Sequence, residues 1–187
     1  MTMMERASRG FSLPELLVVT AIAAILLGVA APNLAALLRA QQLRTATNDL
    51  FGAISLARAQ AIARNEGVRL APRDAAGKDW TQGWTVFVDR DGDGMHGPGD
   101  EVLAVHEALP AGFDAAFAFT SPAAPYYIAY NGAGRSCGDT GASARWGTLS
   151  LFHGGAIRRI KINMLGRARA CNPERDDNCD GAAAPPE

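Results

Sequence analysis

Four carboxylates crowd into the twelve-residue segment DRDGDGMHGPGD, residues 89–100. The aspartates fall at positions one, three, five and twelve of a calcium loop, with glycine at position six and Asp replacing the usual closing Glu. Asp-Gly pairs also form ordinary hairpin turns, and the flanks have the pattern of strands, not of EF-hand helices. The segment therefore predicts either a calcium site or a turn. The calcium ligands would be Asp89, Asp91, Asp93 and Asp100.

A cluster of the opposite charge lies in residues 140–173, where six basic residues occur and no acidic one. The whole chain has a formal net charge of -1, so acidic residues elsewhere offset this segment. A local excess of positive charge attracts polyanions even when a protein is nearly neutral overall. The six residues are Arg145, Arg158, Arg159, Lys161, Arg167 and Arg169.

Arg167 and Arg169 have the spacing of a phosphate-binding pair. In an extended segment, residues two apart point to the same side and lie about 7 Å apart, close to the phosphate repeat along a nucleic-acid strand. Arg159 and Lys161 would lengthen this stripe if their strand packs alongside. Such contacts hold the phosphate backbone and do not read base sequence. The alternative is a solvated strand face, or pairing with acidic residues of the tail, which are Glu174, Asp176 and Asp177.

No pattern of catalytic residues accompanies these clusters. The three histidines, His96, His106 and His153, lack metal-ligand spacing, and no Gly-x-Ser-x-Gly elbow is present. The glycine cluster NGAGRSCG, residues 131–138, is too short for a phosphate loop, and no internal repeat is visible. The sequence therefore predicts a protein that is not an enzyme and that has no cofactor other than the calcium considered above.

The amino-terminal third has the pattern of one long helix. Residues 13–38 offer about the 20 apolar residues that cross a hydrocarbon core. Beyond Pro32, apolar residues recur every three or four positions up to Ala61, so the helix should continue as an amphipathic one. Pro32 should kink or loosen it, and we expect it to stop near Asn65 with Gly67 as its left-handed terminator. At about 1.5 Å per residue, such a helix is roughly 80 Å long.

After the helix, the apolar period becomes alternating. Six short runs, separated by Gly, Pro, Asp and Asn, have the pattern of antiparallel strands. They are GWTVFVD, EVLAVHEAL, FDAAFAF, YYIAYN, GTLSLFH and AIRRIKINML. Gly154 and Gly155 predict a tight hairpin between the last two runs, after which Ile160, Ile162 and Met164 should face the core. We therefore predict an α+β fold in which the long helix packs on an antiparallel β-sheet or sandwich.

The three cysteines, Cys137, Cys171 and Cys179, all lie beyond the apolar segment, in the part that a membrane anchor would leave exported and open to oxidation. An odd number leaves one cysteine over. We favour a bond between Cys137 and Cys171, which would tie a loop to the last strand. A bond between Cys171 and Cys179, which would close a small loop in the tail, and three unpaired thiols both stay open on sequence alone.

The apolar segment carries one charge near its start, Glu15. A carboxylate inside a membrane helix is costly unless it is paired or near the interface. A secretory signal peptide with Arg6 and Arg9 as its basic flank does not account for Glu15, because such peptides are uncharged there, and Pro32 would adjoin the cleavage site. A plain membrane anchor leaves the carboxylate equally unexplained.

Gly10, Phe11 and Glu15, the fifth residue counted from Phe11, together resemble the type III signal of type IV pilins and type II secretion pseudopilins. The resemblance implies that prepilin peptidase cuts after Gly10 and that the new terminal residue becomes N-methylphenylalanine. It also implies that Glu15 pairs with the terminal amine of a neighbouring subunit in the filament. A buried carboxylate is tolerable when assembly supplies its cation, and this accounts for Glu15.

Arg6 and Arg9 flank the apolar run on its short side, which predicts a cytoplasmic amino terminus. The carboxy-terminal domain would then lie in the periplasm, anchored by a single pass in the bacterial inner membrane before assembly into a pilus or pseudopilus.

A helix followed by strands, with WTQGWTVFVDRDGDG in the middle and GRARAC near the end, is similar to the minor pilins GspH and FimT. Residues 166–169 match the Gly-Arg-x-Arg element associated with DNA binding in FimT-type pilins of naturally transformable bacteria. The resemblance implies a minor pilin near the tip of a type IV filament that binds DNA during uptake. Its partners would be DNA, other pilins, prepilin peptidase and the inner membrane. The alternative is a GspH-like pseudopilin that acts in protein export by type II secretion.

These expectations divide the chain into five segments. Residues 1–10 would be the leader peptide, 11–35 the transmembrane or filament-core part of the helix, and 36–67 its amphipathic continuation. Residues 68–172 would form one periplasmic β domain, which is what the length allows. Residues 173–187 would form an acidic, flexible tail that ends in Ala and Pro.

Overall fold

The computed structural model describes residues 12–121, 123–138, 141 and 143–185, without the side chains of residues 29, 30 and 32. The chain divides into two compact units, Met1–Leu38 and Arg39–Glu187. Within the described residues, one long α-helix is followed by nine β-strands in two antiparallel sheets. The predicted α+β class is confirmed.

The helix, α1, extends without a break from Leu13 to Arg64. It is long and apolar enough to cross a membrane, and large apolar side chains of its first half are exposed. It ends one residue before the predicted position, and the residue that takes the left-handed conformation is Asn65, with φ of 54°. The predicted terminator Gly67 was wrong, because the short polar side chain of Asn tolerates this conformation without glycine.

The second half of α1 is amphipathic, as predicted. Its buried residues recur every three or four positions and enter the main hydrophobic core together with residues of both sheets. From the helix these are Leu43, Ala46, Leu50, Ile54, Ala57 and Ala61.

The five-stranded sheet has the order β3-β2-β1-β5-β6. Its strands are β1 (Val68–Pro72), β2 (Trp84–Val88), β3 (Glu101–His106), β5 (Ile128–Tyr130) and β6 (Ser136–Cys137), and a short 3-10 helix, Trp80–Gln82, precedes β2. The six predicted runs all contain strands, but β1 and β6 of this sheet, and the short strand Ala168–Cys171, were not among them. The sequence of β1, VRLAP, contains an arginine and ends in proline, so it does not form the apolar or alternating run by which the other strands were recognised.

The four-stranded sheet has the order β4-β7-β8-β9. Its strands are β4 (Phe113–Phe119), β7 (Gly147–His153), β8 (Ala156–Ile162) and β9 (Ala168–Cys171). Gly154 and Gly155 form the β7–β8 turn with φ of 56° and 83°, which confirms the predicted hairpin. Ile160 and Ile162 enter the core, but β8 ends there, and Met164 is 55% exposed in the following loop.

The disulfide joins Cys171 to Cys179, whose Cα atoms are 5.8 Å apart, so the favoured Cys137–Cys171 bond was wrong. Cys137 belongs to β6 of the five-stranded sheet and is buried beside Phe87 and Tyr127. Cys171 ends β9 of the other sheet. The two cysteines therefore lie on different sheets, whereas eight residues of tail can turn back to bring Cys179 to Cys171.

The tail crosses the outer face of the four-stranded sheet as far as residue 182. Cys179 is only 2% exposed, and the hydroxyl of Thr148 on β7 donates to the carbonyl of Asp180 at 3.5 Å. Gly181 lies so close to Arg159 that an added Cβ would be 2.9 Å from its Cδ. The boundary predicted at residue 173 therefore does not separate these residues from the β domain, because the disulfide fastens them to it.

Candidate functional site

The loop between β8 and β9 contains the start of the Gly-Arg-Ala-Arg segment. The backbone N–H of Asn163 donates to the carbonyl of Arg167 at 3.1 Å, and that of Gly166 donates to the carbonyl of Asn163 at 2.8 Å. The side-chain oxygen of Asn163 accepts from the backbone N–H groups of Leu165 and Arg167 at 3.1 and 3.0 Å. Asn163 thus holds the loop closed, and Arg167 stands at its exit, exposed to solvent.

Gly166 has a structural reason to be glycine. Its φ is 76°, in the left-handed region that other residues rarely adopt. A Cβ at this position would collide with the carbonyl oxygen of Gly134 and approach the ring of Tyr130 to 2.9 Å. The first residue of the motif therefore serves backbone packing, and the arginines are its chemically active part.

Three of the four predicted DNA-binding residues contact the tail, and the tail covers two of them. Arg159 is 6% exposed and donates to the carbonyls of Cys179 and of Ala182, the latter at 2.7 Å. Lys161 forms an ion pair with Asp180 and donates to the carbonyl of Asn178 at 3.0 Å. The expectation that Arg159 and Lys161 extend an exposed stripe was therefore wrong. Both side chains lie on the outer face of the sheet, opposite the core, but the tail covers that face.

The tail carboxylates are electrostatically complementary to this face. The hydrogen bond from Lys161 holds the pKa of Asp180 below its usual range. Arg169 on β9 pairs with Asp176 at 2.7 Å and donates to the carbonyl of Asn178 at 2.9 Å, yet half of its side chain is exposed. The alternative prediction, that the basic residues pair with the acidic tail, therefore holds for Arg169, which pairs with Asp176.

Arg167 differs from its neighbours. Its side chain forms no hydrogen bond or ion pair with any residue in the described ranges. It lines a cleft of about 370 Å³ between α1 and the β8–β9 loop, together with Arg58 of the helix. Of the four predicted contacts, Arg167 is therefore the one whose side chain makes no hydrogen bond or ion pair in the described part of the protein.

The aspartate loop brings three of its four candidate ligands together. Carboxylate oxygens of Asp89, Asp91 and Asp93 lie within 4.8 Å of one another. Asp100 instead accepts from the backbone N–H groups of Arg90 and Gly97, at 2.9 and 2.8 Å, and closes the loop as a turn.

Asp89 is already engaged by protein groups. It forms a buried ion pair with Arg69 and accepts from the backbone N–H groups of Gly92 and Gly94, at 2.8 and 3.2 Å. Burial raises the pKa of Asp89, although the Arg69 guanidinium opposes this shift. These contacts stabilise the loop as a turn through its own aspartates and the Arg69 guanidinium.

The histidines have packing partners. His106 stacks on Trp84 with ring centroids 4.0 Å apart, and His153 stacks on Phe113 at 4.1 Å. His153 also hydrogen-bonds to the carbonyl of Gly112 at 2.8 Å and to the Gln42 side chain at 3.0 Å. These contacts account for both histidines as parts of the core and its rim.

The predicted cleavage site, Gly10 and Phe11, lies outside the described residues. Glu15 lies in the first turn of α1 and is exposed.

Sequence reasoning missed Arg58 as a part of this region. Its Nε donates to the carbonyl of Gly134 at 2.9 Å and its Nη2 to that of Leu165 at 3.3 Å, so one helical side chain joins two loops. The sequence held a signal for the two loops, though not for Arg58: Asn-x-x-Gly-Arg occurs at residues 131–135 and again at 163–167.

Comparison with known proteins agrees with the fold and with the amino-terminal motif. The family described as type II transport protein GspH matches residues 46–166, and the prokaryotic N-terminal methylation motif matches residues 6–31. The pilin-like protein PilA1 of Thermus thermophilus is 33% identical over 164 residues, which cover 86% of this chain and 97% of that protein.

Two solved structures share the fold. The type IV minor pilin FimU of Pseudomonas aeruginosa matches with a TM-score of 0.56 and 18% identity, over 72% of this chain and 92% of that chain. The minor pseudopilin EpsH of the Vibrio cholerae type 2 secretion system matches with a TM-score of 0.50 and 15% identity, over 71% of this chain and 98% of that chain. The chain belongs to the GspH family and is a minor pilin or pseudopilin.

Proposed function

We propose that this chain is a minor subunit of a type IV filament that binds DNA without sequence preference during DNA uptake. The observation that carries the proposal is Arg167, an exposed cation without an ion pair in the described part of the chain, beside the half-exposed Arg169. Guanidinium groups bind phosphate oxygens through two parallel hydrogen bonds, and the neutralised phosphates release counterions. Such an interface holds the DNA backbone and leaves the bases unread.

The proposal includes the route by which the subunit reaches the filament. Prepilin peptidase cuts after Gly10, and Phe11 becomes the methylated terminus. The carboxy-terminal domain faces the periplasm, since Arg6 and Arg9 hold the short amino-terminal side in the cytoplasm. Glu15 pairs with the terminal amine of a neighbouring subunit in the filament.

The test is DNA binding by the full-length protein in a non-ionic detergent. Fluorescence anisotropy with a short labelled duplex should show an affinity whose logarithm falls with the logarithm of salt, with a slope of roughly -2 for two phosphate contacts. Replacing Arg167 and Arg169 together by Gln should remove most of that slope. The control Arg73→Gln/Lys78→Gln changes the net charge equally and should bind as the wild type does. Equal loss in both double variants, or no salt-sensitive binding by the wild type, contradicts DNA binding.

A second candidate is a pseudopilin of a type II secretion system, favoured by the match to the GspH family and by the fold shared with EpsH. Its surface would contact other pseudopilins or exported proteins. Deleting the gene separates the two candidates: loss of DNA uptake with normal protein export supports the first, and the reverse supports the second.

A further inference from the structure

Two hairpin loops on different sheets have the same sequence pattern and the same hydrogen bonds. Residues 131–135 connect β5 to β6, residues 163–167 connect β8 to β9, and both read Asn-x-x-Gly-Arg. In each loop the N–H of Asn donates to the carbonyl of Arg at 3.1 Å, and the N–H of Gly donates to the carbonyl of Asn, at 2.7 Å in the first and 2.8 Å in the second.

The asparagine side chains act identically as well. In each loop the amide oxygen accepts from the N–H of the third residue at 3.1 Å and from that of the arginine, at 3.1 Å in the first loop and 3.0 Å in the second. The glycines have φ of 70° and 76°. The sequence pattern therefore specifies one loop conformation, which the fold uses twice.

The two loops pack directly against each other. Gly166 lies against the carbonyl of Gly134, with no room for a Cβ, and such a Cβ would also lie 3.0 Å from the backbone nitrogen of Ser136. Arg58 of α1 donates one hydrogen bond to each loop, to Gly134 at 2.9 Å and to Leu165 at 3.3 Å. Two similar loops from different sheets are thus held side by side by backbone contact and by one guanidinium.

The arginine that ends each loop is exposed. The side chains of Arg135 and Arg167 form no hydrogen bond or ion pair with another residue in the part of the chain that the structure describes. The ion pairs found among those residues use other cations, such as Arg64, Arg73 and Lys161. With Arg58 between them, the two hydrogen-bonded loops concentrate positive charge, and none of the three arginines has a carboxylate partner among the described residues.

We propose that the paired loops form one binding surface for the phosphodiester backbone of DNA, with Arg135 and Arg167 as its two contacts. The inference rests on the DNA binding proposed above and adds Arg135, which the Gly-Arg-x-Arg motif does not contain. Two guanidinium groups on neighbouring rigid loops suit a ligand that repeats its charge along a chain, since each arginine can hold a different phosphate. The acidic surface of a neighbouring protein subunit is the competing occupant.

The test compares single variants of the full-length protein in a non-ionic detergent, with a labelled DNA duplex as the probe. Arg135→Gln should weaken binding about tenfold at low salt and reduce the salt slope by about 1, as the loss of one phosphate contact requires. Arg135→Lys should keep the salt slope, since it keeps the charge. Lys78→Gln, which removes an exposed cation on another loop, should change neither.

The outcomes separate this inference from the proposed function. If Arg167→Gln weakens binding and Arg135→Gln does not, the paired surface is wrong while DNA binding by Arg167 stands. If the wild type does not bind DNA at all, both fail. If Arg135→Gln loses DNA binding and its circular dichroism spectrum shows that it is unfolded, the Arg135→Lys variant decides. A Lys variant that folds but binds DNA with a reduced salt slope overturns the contact between Arg135 and DNA. Unchanged DNA binding with loss of a co-purifying pilin subunit would identify the protein occupant instead.

Discussion

At the scale of single residues, the arginines of this protein show that position along a strand does not determine availability. Arg159 and Arg169 both face outward on adjacent strands. Arg159 is 6% exposed beneath the tail, whereas half of the Arg169 side chain reaches solvent. Arg167 lies at a loop exit with no ion-pair partner in the described ranges. Each guanidinium thus has a different capacity to bind phosphate, although all three occur within eleven residues.

Glu15 is the residue whose proposed role can be tested most directly. We expect Glu15→Ala to be processed normally but to assemble poorly, because the terminal amine of its neighbour would be buried without a counterion, at a cost of about 3 to 5 kcal/mol. The measurement is the fraction of the protein recovered in sheared filaments. Glu66→Ala removes an exposed carboxylate just after the helix and serves as the control. Equal recovery of Glu15→Ala and Glu66→Ala would contradict the assembly role.

At the scale of elements, loops and tail determine what the sheets present to solvent. The β8–β9 loop fits against the β5–β6 loop because Gly166 has no side chain, and the Cys171–Cys179 disulfide holds the tail on β8. Both features connect parts of the chain that regular secondary structure leaves unconnected. The conformation of these irregular segments, rather than that of the strands, therefore decides whether a basic face is covered or exposed to solvent.

Replacing Gly166 should show how tightly the two loops fit. Gly166→Ala incurs the strain of a positive φ and a collision with Gly134, so we expect a loss of about 2 to 4 kcal/mol in the free energy of unfolding. Gly155→Ala is the matched control, because its φ is 83° and nothing lies within 4 Å of its added Cβ. It should lose only about 1 to 2 kcal/mol. Urea denaturation of both variants gives the comparison, and similar losses would mean that the loop contact contributes little.

Removing the disulfide should release the tail. Cys171→Ser/Cys179→Ser opens a loop of eight residues, for which the chain-entropy model gives a loss of about 2 to 3 kcal/mol. Hydrogen exchange should then accelerate in residues 172–182 while β7 stays protected, because β7 is paired on both sides. Cys137→Ser is the control, and exchange in its tail should match that of the wild type. An unchanged exchange rate in the tail of the double variant would show that side-chain contacts alone hold it.

At the scale of the whole molecule, charge is sorted along the chain and then recombined in space. Residues 140–173 contain only basic charges, and the segment that follows is rich in carboxylates. Folding brings Asp176 and Asp180 back onto Arg169 and Lys161. Although the net charge of the chain is close to zero, one strand face is basic, and its affinity for polyanions depends on where the tail lies.

Neutralising the tail carboxylates should strengthen DNA binding. In Asp176→Asn/Asp180→Asn, Arg169 and Lys161 lose their ion-pair partners, so we expect a higher affinity at low salt and a salt slope steeper by about 1 to 2. Glu174→Gln/Asp177→Asn changes the net charge equally in the same segment, and neither of these residues forms an ion pair in the described part of the chain. Anisotropy titrations that give the same slope for both double variants would mean that long-range charge alone acts.

Much of the fold could be predicted because it depends on local patterns. Periods of three to four and of two residues located α1 and six of the strands, and two successive glycines specified the β7–β8 turn. β1 was missed because its five residues, VRLAP, contain an arginine and end in proline, which is not the pattern of a strand. For the candidate site, the spacing of Arg167 and Arg169 pointed to the segment that enters β9, but it carried no information about Arg58, which is more than one hundred residues from Leu165.

The sequence by itself determined the amino-terminal signal, the long helix, the strand pattern and the basic stretch, because each is a property of neighbouring residues. Only the tertiary structure decided which cations remain available. Arg159 is covered by the carbonyls of residues 179 and 182, and Cys171 pairs with Cys179 because Cys137 belongs to the other sheet. The two Asn-x-x-Gly-Arg loops, which belong to different sheets, meet where Gly166 lies against the carbonyl of Gly134. These outcomes depend on contacts between distant segments, which no local pattern encodes.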